Sequence, residues 1–68
     1  MDNWQKVFED ASPVRAEIVK GILEENEIQA IVMNKQETVY RIHGAYEVLV
    51  SKNEFLKAIN IVRNEITF

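Results

Sequence analysis

The segment from Ser12 to Val32, SPVRAEIVKGILEENEIQAIV, constrains this chain more than any other. It reads as one amphipathic helix that runs directly into one strand. The Ser12 hydroxyl can accept a backbone N–H that has no partner inside the first turn. Pro13 follows at the first helical position, where its fixed φ suits the helix and its missing N–H costs nothing. Val14, Ile18 and Ile22 fall on every fourth residue, with Val19 and Leu23 beside them, and so predict an apolar stripe at helical period. Glu17, Lys20 and Glu24 lie on the opposite side. Gly21 costs about 1 kcal/mol relative to Ala within a helix. Its place at the edge of the stripe predicts close approach by a neighbouring element. Asn26 is expected to take the left-handed conformation that ends the helix. Ile28, Ala30 and Val32 then alternate with Gln29, Ile31 and Met33, which predicts a strand covered at least in part on both faces.

A first strand is expected from Trp4 to Glu9, with Val7 and Phe8 its strongest residues. Apolar groups fall on both of its faces, so the pattern does not say which points inward. The segment from Asn34 to Gly44 is polar at first (Asn34-Lys35-Gln36-Glu37), then β-prone (Thr38-Val39-Tyr40-Arg41-Ile42), and turns at His43-Gly44. It reads either as a long loop or as the extension of a hairpin. A third strand, Ala45 to Val50, places Tyr46, Val48 and Val50 on one face and Glu47 and Leu49 on the other. Ser51-Lys52-Asn53-Glu54 has the pattern of a capping box. After it Phe55, Ala58, Ile59 and Val62 form a second helical stripe, with Leu56 and Ile61 well off it. Ile66 either continues that stripe or opens a short fourth strand, Ile66-Thr67-Phe68. The sum is a single α+β domain over residues 1–68. Its expected order is ferredoxin-like, β-α-β-β-α-(β), an antiparallel sheet with two helices on one face.

A chain of 68 residues has room for one small core. Domains of this size are marginal by area arithmetic, and oligomerisation is therefore expected. There is no cysteine, which excludes thiol chemistry, cysteine-ligated zinc and disulfides and fits a cytoplasmic location. No apolar run approaches the roughly 18 residues of a membrane span. Met1-Asp2-Asn3-Trp4 lacks the features of a signal peptide. Net charge is −3, and the eight basic residues are scattered, whereas duplex binding calls for a basic face. The stretch from His43 to Val50 fails the RNA-recognition pattern. It has one tyrosine, misplaced, and Glu47 would repel phosphate. Nucleic acid is thus not an expected partner.

Two surfaces stand out. If Ile28, Ala30, Val32, Tyr46, Val48 and Val50 face the helices, then Ile31, Met33 and Leu49 face away, joined by Trp4 or Phe8. An apolar patch on an open sheet face seeks cover. Trp4, Ile31, Met33 and Leu49 are the expected interface for a second copy or a protein partner. The alternative is that Thr38 to Ile42 of the same chain fold over the patch. Lys35, Tyr40, Arg41 and His43 are the candidates for holding an anionic small molecule, although loops carry such residues routinely. His43, the only histidine, has no orienting carboxylate nearby in sequence. The N-terminus of the first helix follows Glu9 and Asp10 and lacks a Gly-rich approach, so it reads as a plain cap. Glu24, Glu25 and Glu27 read as a solvated helix end rather than a cation site. No nucleophile elbow, P-loop or zinc-protease motif is present. No catalytic residue, metal or cofactor is expected.

Trp4 to Phe8, Ser12-Pro13, Glu17-Ile18-Val19-Lys20-Gly21-Ile22-Leu23-Glu24, Ile28-Gln29-Ala30 and Tyr46-Glu47-Val48-Leu49-Val50 together resemble the bacterial family of small putative prokaryotic signal-transducing proteins. The resemblance covers nearly the whole chain and is carried by apolar spacing and a few small residues. It implies a ferredoxin-like fold similar to PII-type regulators and no particular reaction. That family carries Gly just before its second strand, where this chain has Glu27, with Asn26 expected to take over the left-handed position. In PII-type regulators the loop after the second strand contacts partners, and Asn34 to Gly44 occupies the corresponding place. The resulting expectation is a non-enzymatic regulatory or interaction module that works through its open sheet face. The alternative is a sensor of an anionic metabolite that uses residues 34–44.

Overall fold

A computed structural model describes residues 3–34 and 45–67. The elements are β1 (Trp4–Asp10), α1 (Pro13–Glu25), β2 (Ala30–Asn34), β3 (Tyr46–Ser51), a single 3-10 turn (Lys52–Glu54) and α2 (Phe55–Glu65). The sheet order is β1-β3-β2, and β3 is antiparallel to both neighbours. β1 and β2 are therefore parallel to each other, joined by α1 and separated by the inserted β3. This is the split β-α-β arrangement. Three strands are present among the described residues. Ile66 has extended backbone (φ −101°, ψ 121°) but neither it nor Thr67 joins a strand, and Phe68 lies outside the described residues. The choice between loop and hairpin for 34–44 falls, beyond Asn34 at the end of β2, outside them as well.

α1 begins as its sequence dictates. Ser12 Oγ accepts the Arg15 N–H at 3.2 Å, and Asp10 Oδ1 accepts the Ser12 N–H at 2.8 Å. Both bonds fix the corner between β1 and α1. Ser12→Ala should lower stability by about 1 kcal/mol in urea unfolding, and an unchanged midpoint would mean the cap contributes nothing.

The C-terminal end of α1 differs from expectation. Asn26 is not left-handed (φ −98°, ψ 17°); Glu27 is, at φ 65°. The Glu27 N–H bonds the Glu24 carbonyl and the Ile28 N–H the Leu23 carbonyl, both at 3.0 Å. Those two bonds make a Schellman motif, in which the residue just past the cap must be left-handed. Asn26 is the cap itself, and its Nδ2 donates to the Ile22 carbonyl at 2.8 Å.

Gly21 also departs from expectation. A Cβ placed there would meet nothing within 4 Å, so no close packing explains the glycine. Gly21→Ala should raise stability by about 0.8 kcal/mol, through helix propensity alone. A fall in thermal midpoint would show that the bare backbone is needed for some contact.

An alanine lies on the buried face of each helix. On α1 the buried side chains are Ala16, Val19 and Leu23, whereas Val14 is 65% and Ile18 45% exposed. The stripe predicted through Val14, Ile18 and Ile22 is thus the flank of the buried face, not its centre. On α2 only Ala58 is fully buried; Phe55, Ile59 and Val62 pack partly against the core as expected, and Ile66, just past the helix, packs there as well. Ile61 packs there too, against expectation, while Leu56 is 76% exposed. Val7, Ile28, Ala30, Val48 and Val50 complete a core with no buried polar side chain among the described residues.

The capping box expected at residues 51–54 does not form, because Ser51 accepts from the residue two along and not from Glu54. Ser51 Oγ accepts the Asn53 N–H at 3.3 Å, whereas Glu54 makes no return bond. The 3-10 turn displaces the helix start, so Glu54 itself becomes the cap of α2, without a side-chain bond. The Lys52 N–H instead bonds the Asn3 carbonyl at 2.6 Å and ties this corner to the start of β1.

Candidate protein interface on the open sheet face

A bulge in β1 decides what the open face carries. Lys6 pairs with Leu49 and Phe8 with Val48, so two steps along β1 match one along β3 and Val7 is the extra residue. The bulge turns both Val7 and Phe8 toward the core. This resolves the apolar ambiguity of the first strand: Trp4, not Phe8, joins the open face. The same extra residue brings Lys6 and Glu9 to one side, although residues three apart lie on opposite faces of a regular strand.

Residues paired across an antiparallel ladder share a face. One rung of the open face is therefore Lys6–Leu49–Ile31, the next is Glu9–Glu47–Met33, and Trp4 lies opposite Ser51. Trp4 is diagonal to Leu49, within the reach of an aromatic side chain. Trp4, Leu49 and Ile31 are half-buried and Met33 is 37% exposed. The four residues expected at the interface thus form one apolar strip across the sheet, on the side away from the helices.

The strip has a charged border. Glu9 and Glu47 lie directly opposite each other, a pairing that repels. Lys6 Nζ bridges them, 2.7 Å from Glu9 Oε1 and 3.5 Å from Glu47 Oε2. The hydrogen bond and charge of Glu9, and then the charge of Glu47, hold the Lys6 ammonium above the usual lysine range. A raised pKa in the folded state contributes stability that is complete below the ordinary lysine value and is lost as pH climbs through the raised one. Neutral pH therefore leaves this border intact. No signal in the sequence marked the border, because it depends on the bulge.

Lys35, Tyr40, Arg41 and His43 lie outside the described residues, as does the segment Thr38 to Ile42 that was the alternative cover for the strip. The first-helix N-terminus is closed by Ser12 and by Asp10, whose Oδ2 also faces Arg15 Nη1 at 3.5 Å. Glu24 pairs with Lys20 at 3.6 Å. Among the described residues no group of acidic or histidine side chains could hold a metal ion, and no helix is long and apolar enough to cross a membrane. A shallow hollow of about 370 Å³ beside α1 is lined by Pro13, Val14, Glu17 and Ile18. It is the flank that the packing of α1 leaves uncovered, and one carboxylate is its sole polar side chain.

The family described as "Putative prokaryotic signal transducing protein" matches residues 4–66. The chain belongs to this family. The match runs from the first residue of β1 to the residue that caps α2, so it takes in every element and every residue of the apolar strip. No curated protein and no solved structure matches the chain. The description of the family gives signal transduction as a putative role and names no ligand, partner or reaction.

Proposed function

We propose that this domain is a non-enzymatic interaction module of bacterial signalling, cytoplasmic, which engages a protein through its open sheet face. The strip Trp4–Leu49–Ile31–Met33 carries this reading. An apolar centre with a charged border is how protein interfaces are built: the centre supplies desolvation, and the border sets register and excludes wrong partners. Trp4 is the expected anchor, since tryptophan dominates binding energy where it is enclosed. The split β-α-β arrangement supports a ferredoxin-like plan, in which the helices cover one face and leave the other for docking.

The test uses Trp4, the only tryptophan, as its own reporter. Leu49→Asp and Met33→Lys should each abolish capture of a protein partner at least about tenfold, which corresponds to about 1.4 kcal/mol of binding. The circular dichroism should stay unchanged, and Trp4 emission should shift to the blue only when the unsubstituted chain is bound. A partner retained by both variants would refute the docking role. A thermal-shift screen against nucleotides and other anionic metabolites separates the sensor alternative. A concentration-dependent rise in midpoint that survives Leu49→Asp would favour a ligand over a protein.

A further inference from the structure

The outward faces of the two helices carry opposite charge. At about 100° per residue, Glu17, Gly21 and Glu25 project away from the buried side of α1, with Val14 and Ile18 among them, and all five are exposed. On α2 the same projection turns Leu56, Lys57 and Asn60 outward, with Arg63 beside them, and these too are exposed. Glu65 projects between Ala58 and Ile61, toward the core side. The outer face of α1 is thus acidic and that of α2 basic. Glu17, Glu25, Lys57 and Arg63 make no ion pair among the described residues. Each face also has an apolar feature that its own chain leaves unused. On α2 it is the protruding Leu56, and on α1 it is the space above Gly21, where an added Cβ would meet nothing within 4 Å.

The two helices run in opposite directions. α1 starts beyond the sheet end where Asp10 pairs with Tyr46, and α2 starts beyond the other end, where Trp4 pairs with Ser51. Late residues of α1 therefore lie level with early residues of α2: Glu25 with Lys57, and Glu17 with Arg63.

We propose that the helix layer packs on the helix layer of a second copy of this chain. The two-fold axis runs between α1 and α2 and parallel to them, so that each α1 lies on the α2 of the other copy. Such an axis keeps every residue at its own height. Glu25 then faces Lys57 of the second copy and Glu17 faces Arg63 of the second copy, each contact occurring twice. Leu56 comes over Gly21, whose missing side chain lets the two helices approach closely. The hollow lined by Pro13, Val14, Glu17 and Ile18 receives the aliphatic stem of Arg63, with the guanidinium at Glu17, the sole polar side chain of its lining. A two-fold contact requires a surface that complements itself, and one acidic and one basic helix side by side meet that condition. A foreign partner would need a basic helix with an apolar knob at this spacing, and the chain itself carries one. The contact lies on the side opposite the open sheet face and does not depend on the docking role of that face.

Sedimentation should show a dimer that weakens as salt is raised. Lys57→Glu and Glu25→Lys should each weaken it about tenfold, because each sets like charges against each other at two symmetric contacts. Both residues are exposed, so the circular dichroism of the two variants should match the parent. An equimolar mixture of the two variants should recover the dimer, since a Lys57→Glu chain beside a Glu25→Lys chain has opposite charges at both contacts. Leu56→Asp should abolish the dimer, whereas Leu49→Asp, on the open face, should leave it intact. A chain that stays monomeric at all concentrations would overturn the proposal, as would a mixture of the two charge variants that recovers nothing. A dimer lost in Leu49→Asp and kept in Leu56→Asp would also overturn it, by moving the contact to the sheet.

Discussion

Leu23→Ala should remove most of the stability of this chain at 25 °C, roughly 3 kcal/mol. Leu23 is fully buried and is the largest such side chain, together with Ile28. Its carbonyl receives the Ile28 N–H at 3.0 Å, and both side chains lie in the core. The hydrophobic contact that accompanies a Schellman motif is thus made by these two residues. Truncation removes apolar contact and leaves a cavity at the junction of α1 with the sheet. Leucine-to-alanine changes at such sites cost roughly 3 kcal/mol. A core of this size supplies no more than about 3–5 kcal/mol in total, so the substitution removes most of it. Urea titration followed by far-ultraviolet circular dichroism at 25 °C is the check. A variant that still unfolds in a cooperative transition less than about 1 kcal/mol below the parent would show that the site collapses around the smaller side chain.

Glu27→Gly works in the opposite direction. The Schellman turn holds Glu27 at φ 65°, where a side chain costs about 1–2 kcal/mol and glycine costs nothing. Glycine in turn loses more chain entropy on folding, which returns part of the gain. Glu27 also adds a negative charge beyond a helix that ends in Glu24 and Glu25 with no basic residue in its last turn, an unfavourable arrangement with the helix dipole. The net expectation is a gain of about 1–1.5 kcal/mol, or roughly 4–10 °C in Tm for a domain of this length. Glu27→Gln removes the charge and keeps the strained backbone, so it should recover only the smaller part. Equal gains from the two variants would assign the effect to charge and leave the left-handed backbone without a cost. Glycine before the second strand, which the resemblance implied for the family, fits the same conformation.

The open-face residues of β2 and β3 are legible in the sequence, because strand alternation alone sorts Ile31, Met33 and Leu49 away from Val32, Val48 and Val50. Trp4 was not separable from Phe8 by alternation. The bulge at Val7 breaks the period within β1, and a bulge is a property of how two strands pair rather than of either alone. The Lys6–Glu9–Glu47 border was invisible for the same reason. Two of its members are three residues apart on one strand, and the third comes from another strand.

The chain's own sequence determined the kinds and order of its elements. Ser12-Pro13 starts α1, the apolar spacing sustains it, and alternation marks β2 and β3. These are local properties, set by hydrogen-bond geometry and side-chain period within a few residues. Which stripe of each helix is buried was decided by the tertiary structure. On α1 the apolar side chains from Val14 to Leu23 spread over about 200° of arc at 100° per residue, more than one sheet can cover. The helix settles on Ala16, Val19 and Leu23 and leaves Val14 and Ile18 largely in solvent. On α2 the fully buried position is Ala58, with Ile61 drawn in and Leu56 left out. In both cases an alanine lies at the contact. A small side chain lets the helix approach the sheet closely while larger neighbours fill the space on either side. Hydrophobic weight does not single out these faces when each helix is read alone; the buried face of α1 joins Ala16 to Val19 and Leu23, and that of α2 is centred on Ala58.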